Sequence, residues 1–118
     1  MIIKNILINP SKTILDALNL IQKNLHKSVI VIDRGGKLLG ILSDADIRRA
    51  LLKGIKLTDQ IKKFYNKKIL FVKDKKFDLL KIKKKITEED LFIVPVVDKN
   101  KRVIDLISYK NLDYKGKP

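Results

Sequence analysis

One stretch of this chain occurs twice, and the two copies stand 65 positions apart. Residues 29–33 read Val-Ile-Val-Ile-Asp, and residues 94–98 read Val-Pro-Val-Val-Asp. At the same spacing and without a gap, residues 37–47 align with residues 102–112, so that a basic residue, apolar positions and a serine correspond. A repeat at a fixed offset indicates one supersecondary unit used twice. The chain is therefore predicted to have two halves of similar design, with a ligand cleft between them.

The apolar pattern assigns similar elements to both halves. Short β-branched runs predict buried strands, and apolar residues at helical spacing predict amphipathic helices. Each half reads strand, helix, strand, hairpin, strand, helix, which is an α/β pattern. The predicted strands are 6–8, 28–33, 37–42, 69–72, 92–97 and 102–107; the helices are 14–25, 44–53 and 76–90, a short one after Thr58 and a last one from Ser108. In helix 76–90 the predicted apolar stripe is Phe77, Leu80 and Ile86.

Composition limits the function classes. The chain has 118 residues, a formal net charge of +14 and no cysteine, which excludes disulfides and thiolate metal sites. Its apolar runs are too short for a membrane span, and a cytoplasmic location is expected. The basic excess is mostly lysine spread along the chain, and aromatic residues make up 6% without interleaving among the basic ones. Nucleic-acid binding is therefore a lesser alternative to a solvated basic surface.

The segment from Gly40 to Arg49 could carry chemistry. Ser43 stands where a strand ends and a helix begins, and the amide groups gathered there can bind an anion. Asp46 can accept hydrogen bonds from a vicinal diol such as a ribose. Arg48 and Arg49 could meet a phosphate, and Gly40 would let a flat ring approach the strand. These residues describe a nucleotide pocket, although Ser-x-x-Asp at a helix start is also a capping box.

Two other candidates are weaker. Asp44-Ala-Asp46 matches a metal motif of glycosyltransferases, but such sites need a larger fold. His26 is the sole histidine, at a predicted helix end, where a structural or surface role is expected. No metal is predicted, and no catalytic triad can be assembled around His26.

The repeated strand followed by Gly-x-x-Ser-x-x-Asp resembles a tandem pair of cystathionine-β-synthase (CBS) domains, often called a Bateman module. The resemblance covers roughly residues 4–113. It implies two pseudo-twofold related repeats, residues 1–58 and 59–118, each β-α-β-β-α and packed as one module. It also implies adenosine-nucleotide binding in the cleft, with AMP, ADP or ATP as regulatory ligand, and pairing of modules into a homodimer.

The resemblance also carries binding roles onto matching residues. Ser43 and Asp46 would hold phosphate and ribose in the first site, and Ser108 and Asn111 would do so in the second. It adds Ile30 and Pro95, which precede the Val-Ile-Asp and Val-Val-Asp ends of equivalent strands, to the expected lining. Asp105 replaces the expected glycine, so the first site is predicted to be the better one.

Residues 43–54 also resemble the first repeat of CBS pairs fused ahead of sugar-nucleotidyltransferase domains. The chain is therefore predicted to be a non-enzymatic regulatory module that modulates an attached catalytic domain. The alternative is a structural dimerisation module with degenerate, empty clefts. The dimer surface is expected on an apolar stripe formed by Ile14, Leu18, Ile21, Leu25, Ile47 and Leu51; the alternative is that this stripe is wholly internal.

Overall fold

The structure is a computed structural model that describes residues 5–109. Two three-stranded sheets carry the fold, with strand orders β1-β2-β3 and β4-β5-β6. In each sheet the first pair is parallel and the second is an antiparallel hairpin. The elements are β1 (Leu7–Ile8), α1 (Ile14–Asn24), β2 (Ser28–Ile32), β3 (Leu38–Ser43), α2 (Asp44–Leu52), a 3₁₀ turn (Ile61–Lys63), β4 (Val72–Lys73), α3 (Leu79–Glu88), β5 (Ile93–Val97) and β6 (Val103–Ser108).

The repeat predicted from the sequence is confirmed in the backbone. Ser28 lies opposite Ser43 in the first hairpin, and Ile93 lies opposite Ser108 in the second. Both hairpins carry an irregularity at the same relative place, between Val31 and Ile32 and between Val96 and Val97. The helix caps Thr13 and Asp78 are also 65 positions apart. The elements β1, α1, β2 and β3 therefore correspond in order to β4, α3, β5 and β6, at an offset of 65 positions and without a gap.

The two hairpins are joined to each other by a reciprocal pair of hydrogen bonds. The Leu38 amide donates to the Lys101 carbonyl, and the Val103 amide donates to the Gly36 carbonyl, both at 3.0 Å. Because each bond maps onto the other at the repeat spacing, the halves are related by a pseudo-twofold axis at this point. Gly36 and Lys101 both have positive φ, 87° and 66°, so a matching left-handed residue ends each turn.

Each hairpin is buried on both faces. In β2, Val29 and Val31 pack toward the helices of their own half, in a cluster with Ile14, Leu42 and Ile47. On the opposite face, Ile30 joins a cluster shared by both halves: Ile6, Ile30, Leu38, Ile93, Val97, Val103 and Leu106, hereafter the central cluster. Burial on both faces explains why these strands read as continuous apolar runs.

The segment after α2 packs on the first half. Ile61 is fully buried in the core of that half, with Phe64 and Tyr65 beside it. Asn66 then pairs with Ile41 on the edge of β3, through amide–carbonyl bonds of 2.8 and 2.9 Å. The division at residue 58 remains a prediction. Within residues 5–109, no helix is long and apolar enough to cross a membrane.

Three predicted details are wrong. The strand expected over 69–72 is only Val72–Lys73, because Ile69 and Phe71 pack against the central cluster instead of pairing in the sheet. Of the stripe predicted for α3, Ile86 is buried as expected, but Leu80 is 75% exposed and Phe77 precedes the cap residue Asp78; the inward face is Leu79, Ile82 and Ile86.

The third correction concerns the apolar stripe on α1 and α2. Ile14 and Ile47 are fully buried, and Leu18, Ile21 and Leu51 pack against the same core. The expected dimer stripe is thus largely internal, since its residues cover the sheet of their own half. Leu25 is the exception, at 63% exposed. The last helix, expected from Ser108, falls mainly outside the described residues.

The central cluster predicts a large effect from one truncation. Ile30→Ala would remove buried methyl groups between the halves and should lower the free energy of unfolding by about 2–5 kcal/mol. Leu80→Ala removes a similar volume from an exposed helix position and should change stability by less than about 0.5 kcal/mol. Urea unfolding of both variants measures this. Equal losses would contradict a shared core between the hairpins.

The capping box of α1 predicts an acid-sensitive group. The Thr13 amide and hydroxyl both donate to Asp16, at 3.0 Å, and the backbone bond is the main reason that the pKa of Asp16 is lowered below 3.8. Its contribution to stability should be present above the unfolded-state pKa and be lost as the pH falls through the lower folded-state pKa. An NMR titration should place the Asp16 midpoint below that of an unfolded peptide, and equal midpoints would refute the cap.

Candidate functional site

A cleft of about 280 Å³ lies between the two halves. The first half contributes the ends of its hairpin and the start of α2, through Ser28, Ile41, Ser43 and Asp46. The opposite side comes from the segment before β4 and the α3–β5 loop. Those residues are Asn66, Lys68, Ile69, Leu70, Glu89, Asp90, Leu91, Phe92 and Ile93. The cleft therefore exists because the two halves are docked.

Ser43 and Asp46, the strongest sequence candidates, both line this cleft. Asp46 is brought there by helical spacing, one turn after the strand end at Ser43. The same two residues also form a complete capping box. The Asp46 amide donates to Ser43 Oγ at 3.1 Å, and the Ser43 amide donates to Asp46 Oδ2 at 3.2 Å. Cap and cleft wall are thus built from the same atoms.

Three of the four amides of residues 43–46, at the start of α2, already have partners within the protein. The Ser43 and Asp46 amides are used in the capping box, and the Asp44 amide donates to the Lys27 carbonyl at 2.8 Å. The carboxylates of Asp44 and Asp46 stand in the first turn, where they already offset the positive end of the helix dipole. We expected Ser43 and these amides to bind a phosphate, but the three amides already donate hydrogen bonds to other groups of the protein.

Neither arginine reaches into the cleft. Arg48 donates to Asp44 at 3.1 Å, and its side chain is 68% exposed. Arg49 donates to Asp46 Oδ1 from the outer side of the helix. An i,i+4 ion pair places Arg48 along the helix surface, and its phosphate role stays a prediction. Asp46 still has carboxylate lone pairs left for a ligand hydroxyl, because an ionised carboxylate offers about four.

Gly40 does allow a close approach, but the approaching group belongs to the chain itself. A Cβ atom added at Gly40 would lie 2.3 Å from the Asn66 carbonyl oxygen and 2.6 Å from the Tyr65 ring. Gly40 is therefore not a lining residue, and its lack of a side chain seats the segment that becomes the far wall of the cleft. The expectation that a ligand ring stacks on Gly40 is corrected accordingly.

Ile30 and Pro95 do not line the cleft either. Both are buried within β2 and β5, with relative exposures below 2%. They occupy the same position in the two repeats, and Ile30 belongs to the central cluster. Two strand neighbours, Ile41 and Ile93, present the apolar surface to the cleft in their place.

The second predicted site is described only in part. Ser108 is fully buried at the end of β6, opposite Ile93. Asn111 lies outside the described residues. Asp105, at the position equivalent to Gly40, accepts a hydrogen bond of 2.6 Å from the next amide, Leu106. A side chain therefore stands where the first half has none.

The far wall of the cleft was missed from the sequence. Residues 66–70 and 89–93 come from a linker and a loop, and neither carries a motif. The repeat was the one signal in the sequence that could have indicated them. If the two halves pack around a pseudo-twofold axis, a cleft at the end of one hairpin is also lined by loops of the other half. Phe92 in this wall is contacted from the first half by Lys27, whose Nζ lies 5.5 Å from the ring centroid.

Residues 1–53 match the family model described as "CBS domain". An uncharacterized protein of Helicobacter pylori (strain ATCC 700392 / 26695) is 30% identical over 106 residues, which are 90% of this chain and 32% of that protein. The chain thus spans about a third of the length of the curated relatives it matches. Their names state no function.

Solved structures share the fold over nearly the whole chain. The CBS domain pair of protein MJ0100, in complex with 5′-methylthioadenosine and S-adenosyl-L-methionine, superposes with a TM-score of 0.79 at 21% identity and covers 95% of this chain and 91% of its own. CBSX2 in complex with AMP superposes with a TM-score of 0.77 at 25% identity and covers 93% and 85%.

The contact over Gly40 predicts a selective effect of one methyl group. Gly40→Ala should lower the free energy of unfolding by about 1–3 kcal/mol, because the Tyr65–Asn66 segment must move to admit the new Cβ. Gly35→Ala is the matched control, since a Cβ there meets its nearest neighbour, Asp33 Oδ1, at an ordinary 3.5 Å. Thermal or urea unfolding compares the two. Indistinguishable variants would contradict the seating role of Gly40.

Proposed function

Because residues 1–53 form a CBS domain and the described chain has the fold of a CBS domain pair, we propose that the protein is a regulatory module that binds an adenosine-containing ligand between its halves. The observation that carries this proposal is that Ser43 and Asp46 line one cleft together with apolar side chains from both halves. AMP, ADP, ATP and S-adenosylmethionine all belong to this ligand class. The solved relatives in complex with AMP and with adenosyl compounds support it.

The lining supplies a partner for each part of an adenosine. Apolar side chains from both halves can cover the faces of the base, led by Ile41, Leu91 and Phe92. The Asp46 carboxylate retains acceptor capacity for the ribose hydroxyls, and the Ser43 hydroxyl can donate while its oxygen accepts from the Asp46 amide. We place the nucleoside, rather than a phosphate, against these two side chains.

Regulation would follow from where the cleft is built. One wall belongs to the first hairpin and the other to the linker and the second half, so a ligand contacts both at once. A ligand that prefers one arrangement of the halves shifts the population toward it, by as much as its affinities for the arrangements differ. We propose that this shift is passed to a catalytic domain outside residues 1–118, for which a sugar-phosphate nucleotidyltransferase is our specific candidate. This chain itself is proposed not to be an enzyme.

A structural dimerisation role is the second candidate. Leu15 on α1 is 46% exposed and Leu52 on α2 is 88% exposed. Burial of either leucine against a second copy of the chain would remove apolar surface from water. In this candidate the Ser43–Asp46 pair acts only as a helix cap and the cleft takes no ligand.

Substitution of Asp46 separates the two candidates. Asp46→Ala removes a charge-assisted acceptor and should weaken adenosine binding, measured by calorimetry, by about 1.5–3 kcal/mol, roughly 10- to 150-fold. Asp16→Ala is the matched control, because it breaks the equivalent capping box of α1 outside this cleft. The free energy of unfolding should fall by a similar amount in both variants, about 1 kcal/mol.

Three results would count against the proposal. Adenosine compounds that all fail to bind the wild-type chain would favour the dimerisation role. Equal affinity in wild type and a folded Asp46→Ala variant would remove the site assignment. Equal weakening in Asp16→Ala and Asp46→Ala would show that cap stability, and not contact with the ligand, accounts for the loss.

A further inference from the structure

We propose that the 5′ substituent of the bound adenosine derivative is neutral or positively charged, so that the cleft selects against phosphorylated nucleotides. This inference rests on the adenosine site proposed above and concerns the group attached to the sugar. It is carried by the charged side chains of the cleft and by the donors at the start of α2.

The side chains that line the cleft are less basic than the chain as a whole. The molecule carries a net charge of +14, yet three carboxylates, those of Asp46, Glu89 and Asp90, line the cleft against one ammonium, that of Lys68. A phosphate therefore meets more like charges than opposite ones among the lining side chains, although Arg49 and Lys85 from outside the lining offset two of the carboxylates. Repulsion of this kind is a common way to exclude a wrong ligand.

The three carboxylates differ in how far they are compensated. Asp46 is paired with Arg49, and Glu89 lies 3.5 Å from Lys85 on the preceding turn of α3. Asp90 makes no hydrogen bond or ion pair within the described part of the chain. It stands at a left-handed φ of 56°, in the loop that enters β5. Asp90 is therefore the carboxylate most open to a cation on the ligand.

The usual compensation for a phosphate is also reduced around this cleft, because only the Ala45 amide is left without a partner among the amides of residues 43–46. The amides of Ser43, Asp44 and Asp46 are already bonded within the protein. Within residues 5–109, the two arginines nearest the site are paired with carboxylates on their own helix. Phosphate recognition normally relies on free amides at a helix start or on free guanidinium groups. Lys68 and the single Ala45 amide would have to replace both.

A sulfonium tail of the S-adenosylmethionine type fits this balance. It carries two positive groups and one carboxylate, so it can place cations near Glu89 and Asp90 and its carboxylate near Lys68. A 5′-thioether or 5′-hydroxyl, as in 5′-methylthioadenosine or adenosine, meets no repulsion. The probes follow from this: S-adenosylmethionine, 5′-methylthioadenosine, adenosine, AMP, and ATP with and without Mg²⁺.

The experiment is a calorimetric comparison of these probes on the full chain at low and high salt. We expect adenosine and S-adenosylmethionine to bind about tenfold or more tightly than AMP and ATP at low ionic strength, and the difference to shrink as salt screens the carboxylates. The variants Glu89→Gln and Asp90→Asn should each reduce the difference in affinity between the unphosphorylated and the phosphorylated compounds. Asparagine tolerates the left-handed φ of Asp90, so that variant should fold.

Glu88→Gln is the matched control. It makes the same change of charge one residue away, on a side chain that faces Lys84 and does not line the cleft. It should leave the preference unchanged. AMP or ATP binding more tightly than adenosine would overturn the inference while leaving the adenosine site intact. A preference unaffected by Glu89→Gln and Asp90→Asn would also overturn it, and a chain that binds none of the probes would instead refute the proposed function.

Discussion

Contact between the two hairpins is the interaction on which the rest of this structure depends. The Leu38 and Val103 amides bond to the opposite turn, and the apolar residues on that side of both sheets form one cluster. Each sheet has a second apolar face that is covered by its own helices and by neighbouring loop residues such as Ile61 and Leu91. A hairpin buried on one face alone would expose a row of isoleucines and valines to water, at roughly 25 cal/mol per Å² of apolar surface. Docking of the halves is therefore a condition for the fold, and the cleft is its by-product.

The two halves present different surfaces at equivalent positions of the repeat, Gly40 and Asp105. Gly40 leaves room for Tyr65 and Asn66, so the linker adds a short pairing to the edge of β3 and becomes a wall of the cleft. At the equivalent place Asp105 carries a carboxylate that folds back on the Leu106 amide. The backbone of the repeat is thus the same in both halves, but the local surface differs because Gly40 has no side chain and Asp105 has a carboxylate.

Capping and ligand contact compete for few atoms at the start of α2. The Ser43–Asp46 box uses amides that an anion would otherwise find free, and Arg49 occupies one oxygen of Asp46. What is left is acceptor capacity on a carboxylate and a hydroxyl proton, which suit sugar hydroxyls better than a phosphate. The ribose role predicted for Asp46 is therefore compatible with these internal hydrogen bonds, whereas the phosphate role predicted for Ser43 competes with them.

The sequence by itself determined the repeat, the hairpins, the starts of α1 and α2 and the pairing of Ser43 with Asp46, because these follow from local periodicity, turn chemistry and caps. The sequence did not determine that Gly40 seats the linker, that Ile30 and Pro95 lie in the core, that Arg48 and Arg49 pair along their own helix, or that Glu89 and Asp90 line the same cleft as Asp46. Those facts depend on which surfaces meet when the halves dock. Only the tertiary structure decides them, because side chains far apart in sequence become neighbours through packing that no local pattern records.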